Sequence, residues 1–110
     1  MVDSSSDRSL HPYSPPTADF TEGARECIRR LARAAREGAS VDRLADVIRA
    51  SATSCARDAR DAGARAEQFV VALKREWSAA ADSAGVPRLH AMEIATRLVT
   101  AAIVDFFRGE

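Results

Sequence analysis

The sequence has no excess of charge of either sign, because 16 basic and 16 acidic residues give a formal net charge of zero. Proteins whose main partner is nucleic acid or an anionic membrane usually carry a basic excess. The balance therefore argues against both partners. The longest uncharged apolar run near the C-terminus, residues 98–104, is far too short to cross a bilayer.

Residues 1–16 also lack the apolar segment of a secretory signal peptide. We therefore expect the chain to be cytoplasmic. Cysteine is scarce, with only Cys27 and Cys55, and in the cytoplasm both would be reduced. Both fall on apolar helix faces in the pattern described below, where a reduced cysteine behaves as a small hydrophobe.

Motifs that carry catalysis or metal binding are missing. The sequence contains no GxSxG, P-loop or GxGxxG, and no HxxxH or CxxC pair. The two histidines are far apart, with His11 near the N-terminus and His90 on a predicted polar strip, where we expect it to be solvated. The sequence thus predicts a protein that is not an enzyme and has no cofactor, no metal site and no small-molecule substrate.

Aromatic residues are few, at 5% of the chain, so the core must be built mainly from aliphatic side chains and alanine. The chain has 23 Ala, and 15 of its 16 basic residues are Arg. Alanine is the best helix former and arginine a good one, which favours helices throughout. A chain of 110 residues is long enough for one domain and too short for two.

Proline and serine are concentrated at the N-terminus. Residues 1–17 are rich in both and offer only Leu10 and Tyr13 as large side chains that could dock. This composition predicts a disordered, dispensable tail. Residues 18–110 are then expected to form a single helical-bundle domain.

Apolar residues recur at steps of three and four along this domain, which predicts four helices. The first follows Thr17 as N-cap and ends at Gly38, and the second starts after Ser40. Gly63 is expected to end the second helix in the left-handed conformation. The third helix then begins near Ala66 with Arg65 as its N-cap.

Gly85 and Pro87 separate the third helix from the last, which covers about residues 88–108. The predicted fold is therefore all-α, an up-and-down four-helix bundle with short turns. The alternative is a long helical hairpin in which residues 41–84 form one helix and Gly63 lies inside it.

The two middle helices have distinct apolar stripes. After Ile48 the stripe of the second contains only Cys and Ala, so this half must approach its neighbour closely. Trp77 lies on the stripe of the third helix and is expected to be core. Lys74 lies at the edge of that stripe, where its stem can cover apolar surface while its ammonium stays in water.

The last helix is apolar over an arc of about 240°, more than one flanking groove covers. The apolar residues in excess lie together on one side: Ile94, Leu98 and Ala101. An exposed patch of this kind is a liability in a soluble monomer. We therefore predict a homodimer interface, or a groove for another protein, on these three residues. The leading functional hypothesis is a non-enzymatic, self-associating protein–protein interaction module.

Four arginines, Arg25, Arg29, Arg33 and Arg36, share one face of the first helix. Such a row could contact anions. Glu22, Glu26 and Glu37 border it, however, and a solvated charged face is the favoured interpretation.

A second functional hypothesis comes from a different class of protein. Ala59, Gly63 and Phe69 occupy the small, glycine and apolar positions of a helix-turn-helix, which would make the chain a small DNA-binding regulator. Against this, the supposed reading helix opens with Glu67 and has few exposed side chains that could read bases.

The segment EQFVVALKREW, residues 67–77, resembles one found in small, uncharacterised bacterial helical proteins with the pattern EQxxxALKxxW. The resemblance covers about residues 55–80. That group has no assigned activity, so the resemblance implies only a small helical protein.

Overall fold

The computed structural model describes residues 20–109, and the predicted tail at residues 1–17 lies outside them. The described residues form four helices and no strand. These are α1 (Glu22–Arg36), α2 (Ala45–Asp61), α3 (Ala66–Ala84) and α4 (Arg88–Arg108). The predicted all-α four-helix bundle is confirmed.

Three of the four helices are followed within two residues by a glycine with positive φ. Gly63 follows α2 with φ of +75°, and Gly85 ends α3 with φ of +79°. A residue with a Cβ is strained in this left-handed region, so glycine is the natural residue at these stops. The chain breaks at Gly63 as predicted, and the alternative of a single helix over residues 41–84 is wrong. Gly38, with φ of +92°, follows α1 as expected.

Two helix starts differ from the prediction. The N-cap of α1 is Thr21, not Thr17, and its Oγ1 accepts a hydrogen bond from Ala24 N–H at 3.2 Å. Ser40 Oγ accepts from Arg43 N–H at 3.3 Å, but it caps a turn at residues 41–44, and α2 begins only at Ala45. A tertiary contact selects Thr21 as the start of α1, because Asp58 accepts hydrogen bonds from both the N–H and the hydroxyl of Thr21.

The four helices run alternately in opposite directions, but their order around the bundle is α1–α2–α4–α3. The closest pair is α2 with α4, while α2 and α3 touch little and α1 and α4 lie at opposite corners. Contacts at both ends show that α2 and α4 are parallel. His90 in the first turn of α4 meets Ala39 just before α2, and Asp105 in its last turn meets Thr53 and Arg60.

The core is aliphatic with a short aromatic row at one end. Phe69 packs edge-on against Phe20, with ring centroids 6.3 Å apart, and stacks on Phe106 at 5.3 Å. The small residues of α2, including Ala52, Cys55 and Ala59, are fully buried and allow α4 to approach closely. This confirms the close approach predicted for that half of α2.

Trp77 is buried with 2% of its surface exposed, as predicted for a core residue. Its Nε1–H donates to the carbonyl of Ala91 at 2.9 Å. The indole therefore fills the interface between α3 and α4 and satisfies its polar atom on the neighbouring helix. Lys74 is exposed, as expected.

Candidate functional site

The most unusual surface of the described residues is the outer side of α4. Five large apolar side chains are exposed in residues 20–109, and four of them belong to this helix. They are Leu89, Met92, Val104 and Phe107, exposed by 81%, 57%, 47% and 54% respectively. Val99 and Ile103 lie between them and are partly exposed. We call these six residues the outer face of α4.

The position of α4 in the bundle explains why this face is uncovered. The helix packs against α2 on one side and α3 on the other, and α1 lies diagonally behind it. A helix at a corner buries the stripe that faces its two neighbours and leaves the opposite stripe in water. On most surface helices that stripe is polar, whereas here exposed apolar side chains are interrupted by Glu93, Thr96 and Thr100.

The structure corrects the interface predicted from the sequence. Ile94 and Leu98 are 0% exposed within the single chain, and Ala101 is partly buried. They face the bundle because α2 and α4 form its closest pair. Ile94 and Leu98 are therefore core residues, and neither is available to a partner.

Sequence reasoning missed the outer face although a signal was present. Leu89, Met92, Thr96, Val99 and Ile103 follow one another at steps of three and four, the spacing of a second helical stripe. Within an apolar arc as wide as that of α4, choosing the free side requires knowing where the neighbouring helices lie. The local sequence pattern does not contain the order of the helices around the bundle.

The arginines predicted as an anion-contact face are mostly paired with carboxylates. Arg29 is held by Glu22 and by Glu26, whose Oε1 lies 3.1 Å from Arg29 Nε, and Arg33 Nη2 lies 3.1 Å from Glu26 Oε2. Hydrogen bonds from Arg33 and Arg29 lower the pKa of Glu26.

The two ends of this row differ. Arg25 turns away toward α3, with its Nε 3.8 Å from Glu76 Oε1, while Arg36 lies exposed in the last turn of α1. The row is thus largely neutralised by its own helix and by α3, which agrees with the favoured interpretation of a solvated charged face.

The surroundings of the two cysteines and of His90 suit a role in packing the bundle rather than a chemical one. Burial raises the pKa of the Cys55 thiol to about 12, so this residue stays protonated and unreactive at neutral pH. Cys27 is half-buried, and both thiols are free. The prediction that His90 is solvated is wrong. Its Nε2 lies 2.9 Å from the carbonyl of Ala39, which ties α4 to the segment before α2.

Shallow grooves run between the helices, and the three described next have the larger volumes given below. They lie between α1 and α3, between α3 and α4, and between α2 and α4, with volumes of about 330, 530 and 660 Å³. None of the three is lined by a histidine or a cysteine. Within residues 20–109 no group of three or more His, Cys, Asp or Glu side chains could hold a metal ion. In the same residues no helix is both long and apolar enough to traverse a lipid bilayer.

The residues shared with the EQxxxALKxxW pattern have structural roles in α3. Leu73 and Trp77 are core, and Gln68 Oε1 accepts from Arg65 N–H at 2.8 Å across the first turn of the helix. The roles of Gln68, Leu73 and Trp77 need no ligand. The relationship to the bacterial proteins stays a prediction.

Comparison with known protein families, curated proteins and solved structures finds no match to this chain.

Proposed function

We propose that this protein is a non-enzymatic interaction module that associates with itself through the outer face of α4. The observation that supports it is the concentration of exposed apolar side chains on one helix, with Leu89 81% exposed and Phe107 54% exposed. Scattered apolar residues are normal on protein surfaces, whereas a concentration of large apolar side chains on one helix face is typical of a contact site. We also propose a cytoplasmic setting, in which both cysteines stay reduced.

In the part of the chain that the structure describes, reactive side chains do not converge on one surface, which supports a binding role over catalysis. An active site brings a nucleophile, a base and a stabilising donor to one concave surface. The groove between α2 and α4 instead presents Arg49, Arg97 and Arg108 with threonines and one acidic residue, Asp105. Asp105 is already engaged, because its Oδ2 accepts from Thr53 Oγ1 at 2.5 Å.

The test is the molar mass in solution, measured by light scattering on a size-exclusion column. We expect the 11.8 kDa chain to shift toward twice that mass as its concentration rises over about 10 to 1,000 μM. The double variant Met92→Glu, Phe107→Glu should elute as a monomer, because two carboxylates would be buried without partners in the contact.

The matched control is Ala79→Glu, which adds a carboxylate to an exposed position of α3 beside the groove with α1. It should behave as the unmodified chain. Circular dichroism melting checks that every variant is folded. An unmodified chain that stays monomeric throughout, or a double variant that still dimerises, contradicts the proposal.

DNA binding is the second candidate, and one observation favours it. Ala59 and Phe69 are fully buried on either side of the left-handed Gly63, as a helix-turn-helix requires. Against it, α2 and α3 contact each other little, and Glu67 lies in the first turn of the would-be reading helix. A salt-sensitive mobility shift of random-sequence duplex DNA would support this candidate. If the duplex DNA shows no mobility shift at low salt, DNA binding is excluded as a candidate.

A further inference from the structure

The groove between α2 and α4 has a positively charged lining. The described residues that line it include Arg49 on α2, Arg97 and Arg108 on α4, and a single carboxylate, that of Asp105. This carboxylate is engaged, because its Oδ2 accepts a hydrogen bond from the hydroxyl of Thr53. Three guanidiniums against one carboxylate leave an excess of positive charge along the groove, although the whole chain has a net charge of zero.

The arginines of the groove differ from the row on α1 in having no carboxylate beside them. Within residues 20–109, every arginine that forms an ion pair belongs to α1. No carboxylate of these residues lies within 4.0 Å of a guanidinium nitrogen of Arg49, Arg97 or Arg108. A guanidinium has only hydrogen-bond donors, so the ligand that matches this lining is an anion.

Arg97 and Arg108 lie on the same side of α4, toward the two ends of the groove. Eleven residues separate them, which corresponds to about three turns and about 16 Å along the helix. Ala101 and Val104 lie on that side between them, four and seven residues after Arg97. These two side chains form an apolar floor between the two charges.

Arg49 lies beside the middle of this floor, on α2. The hydrogen bond between Thr53 and Asp105 places these two residues at one level of the parallel helices. Arg49 lies one turn before Thr53, and Ala101 lies one turn before Asp105, so Arg49 and Ala101 are level as well. The three arginines therefore surround the apolar floor at both ends and along one side.

We infer that the groove between α2 and α4 binds an acidic amphipathic helix of another protein, about three turns long. A helix in this groove matches Arg97 and Arg108 when it has acidic residues eleven positions apart, and it matches the floor with apolar residues between them. Guanidinium–carboxylate pairs hold the two ends, and the apolar contact removes the floor from water. All three arginines belong to one chain, so this inference does not depend on self-association.

Other anions match the lining less well. An inorganic phosphate bound at one arginine leaves the other arginines and the apolar floor without a partner. A nucleic acid backbone needs a longer basic stripe. Here Asp46 and Glu93, both exposed, lie about one turn before Arg49 and Arg97 and limit the positive surface to the length of the groove.

Fluorescence anisotropy with designed peptides tests this inference on the full-length chain at low ionic strength. The probe is a labelled, alanine-rich helical peptide with two glutamates eleven residues apart and leucines four and seven residues after the first glutamate. This pattern is the same from either end, so the probe fits the groove in both directions. One comparison peptide has glutamine in place of both glutamates, and a second has the same composition with both glutamates at one end.

We expect the probe to bind with a Kd on the order of 100 μM, because exposed ion pairs each contribute little. Each comparison peptide should bind about fivefold or more weakly, since neither can form both end pairs. This comparison needs only the unmodified chain, so it holds whether or not any variant folds.

Two double variants locate the site. Arg97→Gln, Arg108→Gln should weaken binding of the probe about fivefold or more, because it removes both end contacts. The matched control, Arg30→Gln, Arg75→Gln, removes the same charge from exposed positions on α1 and α3 and should bind the probe as the unmodified chain does. Circular dichroism melting checks that both variants, which change only exposed residues, are folded.

Each other result overturns the inference. If the probe does not bind, or if the three peptides bind equally, the groove does not recognise spaced carboxylates. Equal weakening in the two double variants shows attraction by net charge without a defined site. Unchanged binding to Arg97→Gln, Arg108→Gln places the peptide elsewhere on the chain. If inorganic phosphate or a mixed-sequence DNA duplex displaces the probe at an equal concentration of anionic groups, the groove recognises phosphate and not an acidic helix.

Discussion

At the scale of single residues, Trp77 has two roles in the bundle. Its ring fills the space between α3 and α4, and its Nε1–H donates to the carbonyl of Ala91. We expect Trp77→Ala to lower the free energy of unfolding by about 3–5 kcal/mol through the cavity it leaves. Trp77→Phe should cost less than Trp77→Ala, since it keeps most of the apolar contact but loses a hydrogen bond worth about 1 kcal/mol.

Urea denaturation followed by circular dichroism measures both changes. The native emission of Trp77, the only tryptophan in the chain, should be blue-shifted. Emission typical of water, together with a Trp77→Ala variant as stable as the unmodified chain, would show that the side chain is not core.

Cys55 is the second residue whose surroundings lead to a measurable effect. Its ordinary pKa of 9.0 is raised to about 12, first by burial and then by the nearby charge of Asp58. The folded chain therefore holds the thiol proton more tightly than the unfolded chain. The stability that depends on this proton is fully present below pH 9 and is lost as the pH rises from 9 toward 12.

We expect Cys55→Ala to lose less stability than the unmodified chain between pH 8 and pH 10.5 in the same urea titration, because alanine has no proton to lose. At pH 8, Ellman's reagent should label the half-buried Cys27 in the folded chain and both thiols only after unfolding. Rapid labelling of Cys55 in the folded state would contradict the burial.

At the scale of the helices, Gly63 determines where α2 ends. A Cβ added at Gly63 would have no atom within 4 Å, so it meets no steric clash. The cost of a substitution is therefore the backbone strain of a φ of +75° alone. We expect Gly63→Ala to destabilise the bundle by about 1 kcal/mol. Gly23→Ala is the matched control. Gly23 lies inside α1 with ordinary φ and only Thr21 Oγ1 within 4 Å, so this change should stabilise the chain by up to about 1 kcal/mol.

Thermal unfolding of the two variants against the unmodified chain shows the sign directly. If Gly63→Ala melts higher than the unmodified chain, the left-handed turn between α2 and α3 is absent.

The helix ends and the starts of α3 and α4 could be predicted from the sequence, whereas the starts of α1 and α2 could not, for a physical reason. A glycine that follows an apolar stripe ends a helix through its own backbone freedom, which is a local property. The start of α1 depends on Asp58, 37 residues away, which holds both the N–H and the hydroxyl of Thr21. Thr17 and Thr21 are equivalent candidates until that contact is known.

At the scale of the whole molecule, the order of the helices decides which side of α4 is free. The periodicity of each helix predicted the stripes, and the short turns predicted alternating directions. Neither predicts that α2 and α4 form the closest pair, because that pairing depends on how the small residues of α2 fit α4 in three dimensions. The surface predicted on Ile94 and Leu98 was therefore wrong, while the surplus of apolar surface on α4 is real and lies on its outer face.

The effect of salt on self-association separates the two functional candidates at this scale. The proposed dimer buries apolar side chains, a contact that does not depend on charge pairs. The Debye length falls from about 30 Å at 0.01 M to about 10 Å at 0.1 M ionic strength, so added salt screens only interactions between exposed charges. We therefore expect the association constant of the dimer, measured by sedimentation equilibrium, to stay the same or rise between 0.02 M and 0.5 M NaCl.

The association constant for DNA would instead fall steeply over this range, because each phosphate contact releases counterions. Fluorescence anisotropy of a labelled duplex over the same salt range provides that comparison. A dimer that dissociates as salt is added is held by charge pairs, and the apolar outer face of α4 is then not its contact surface.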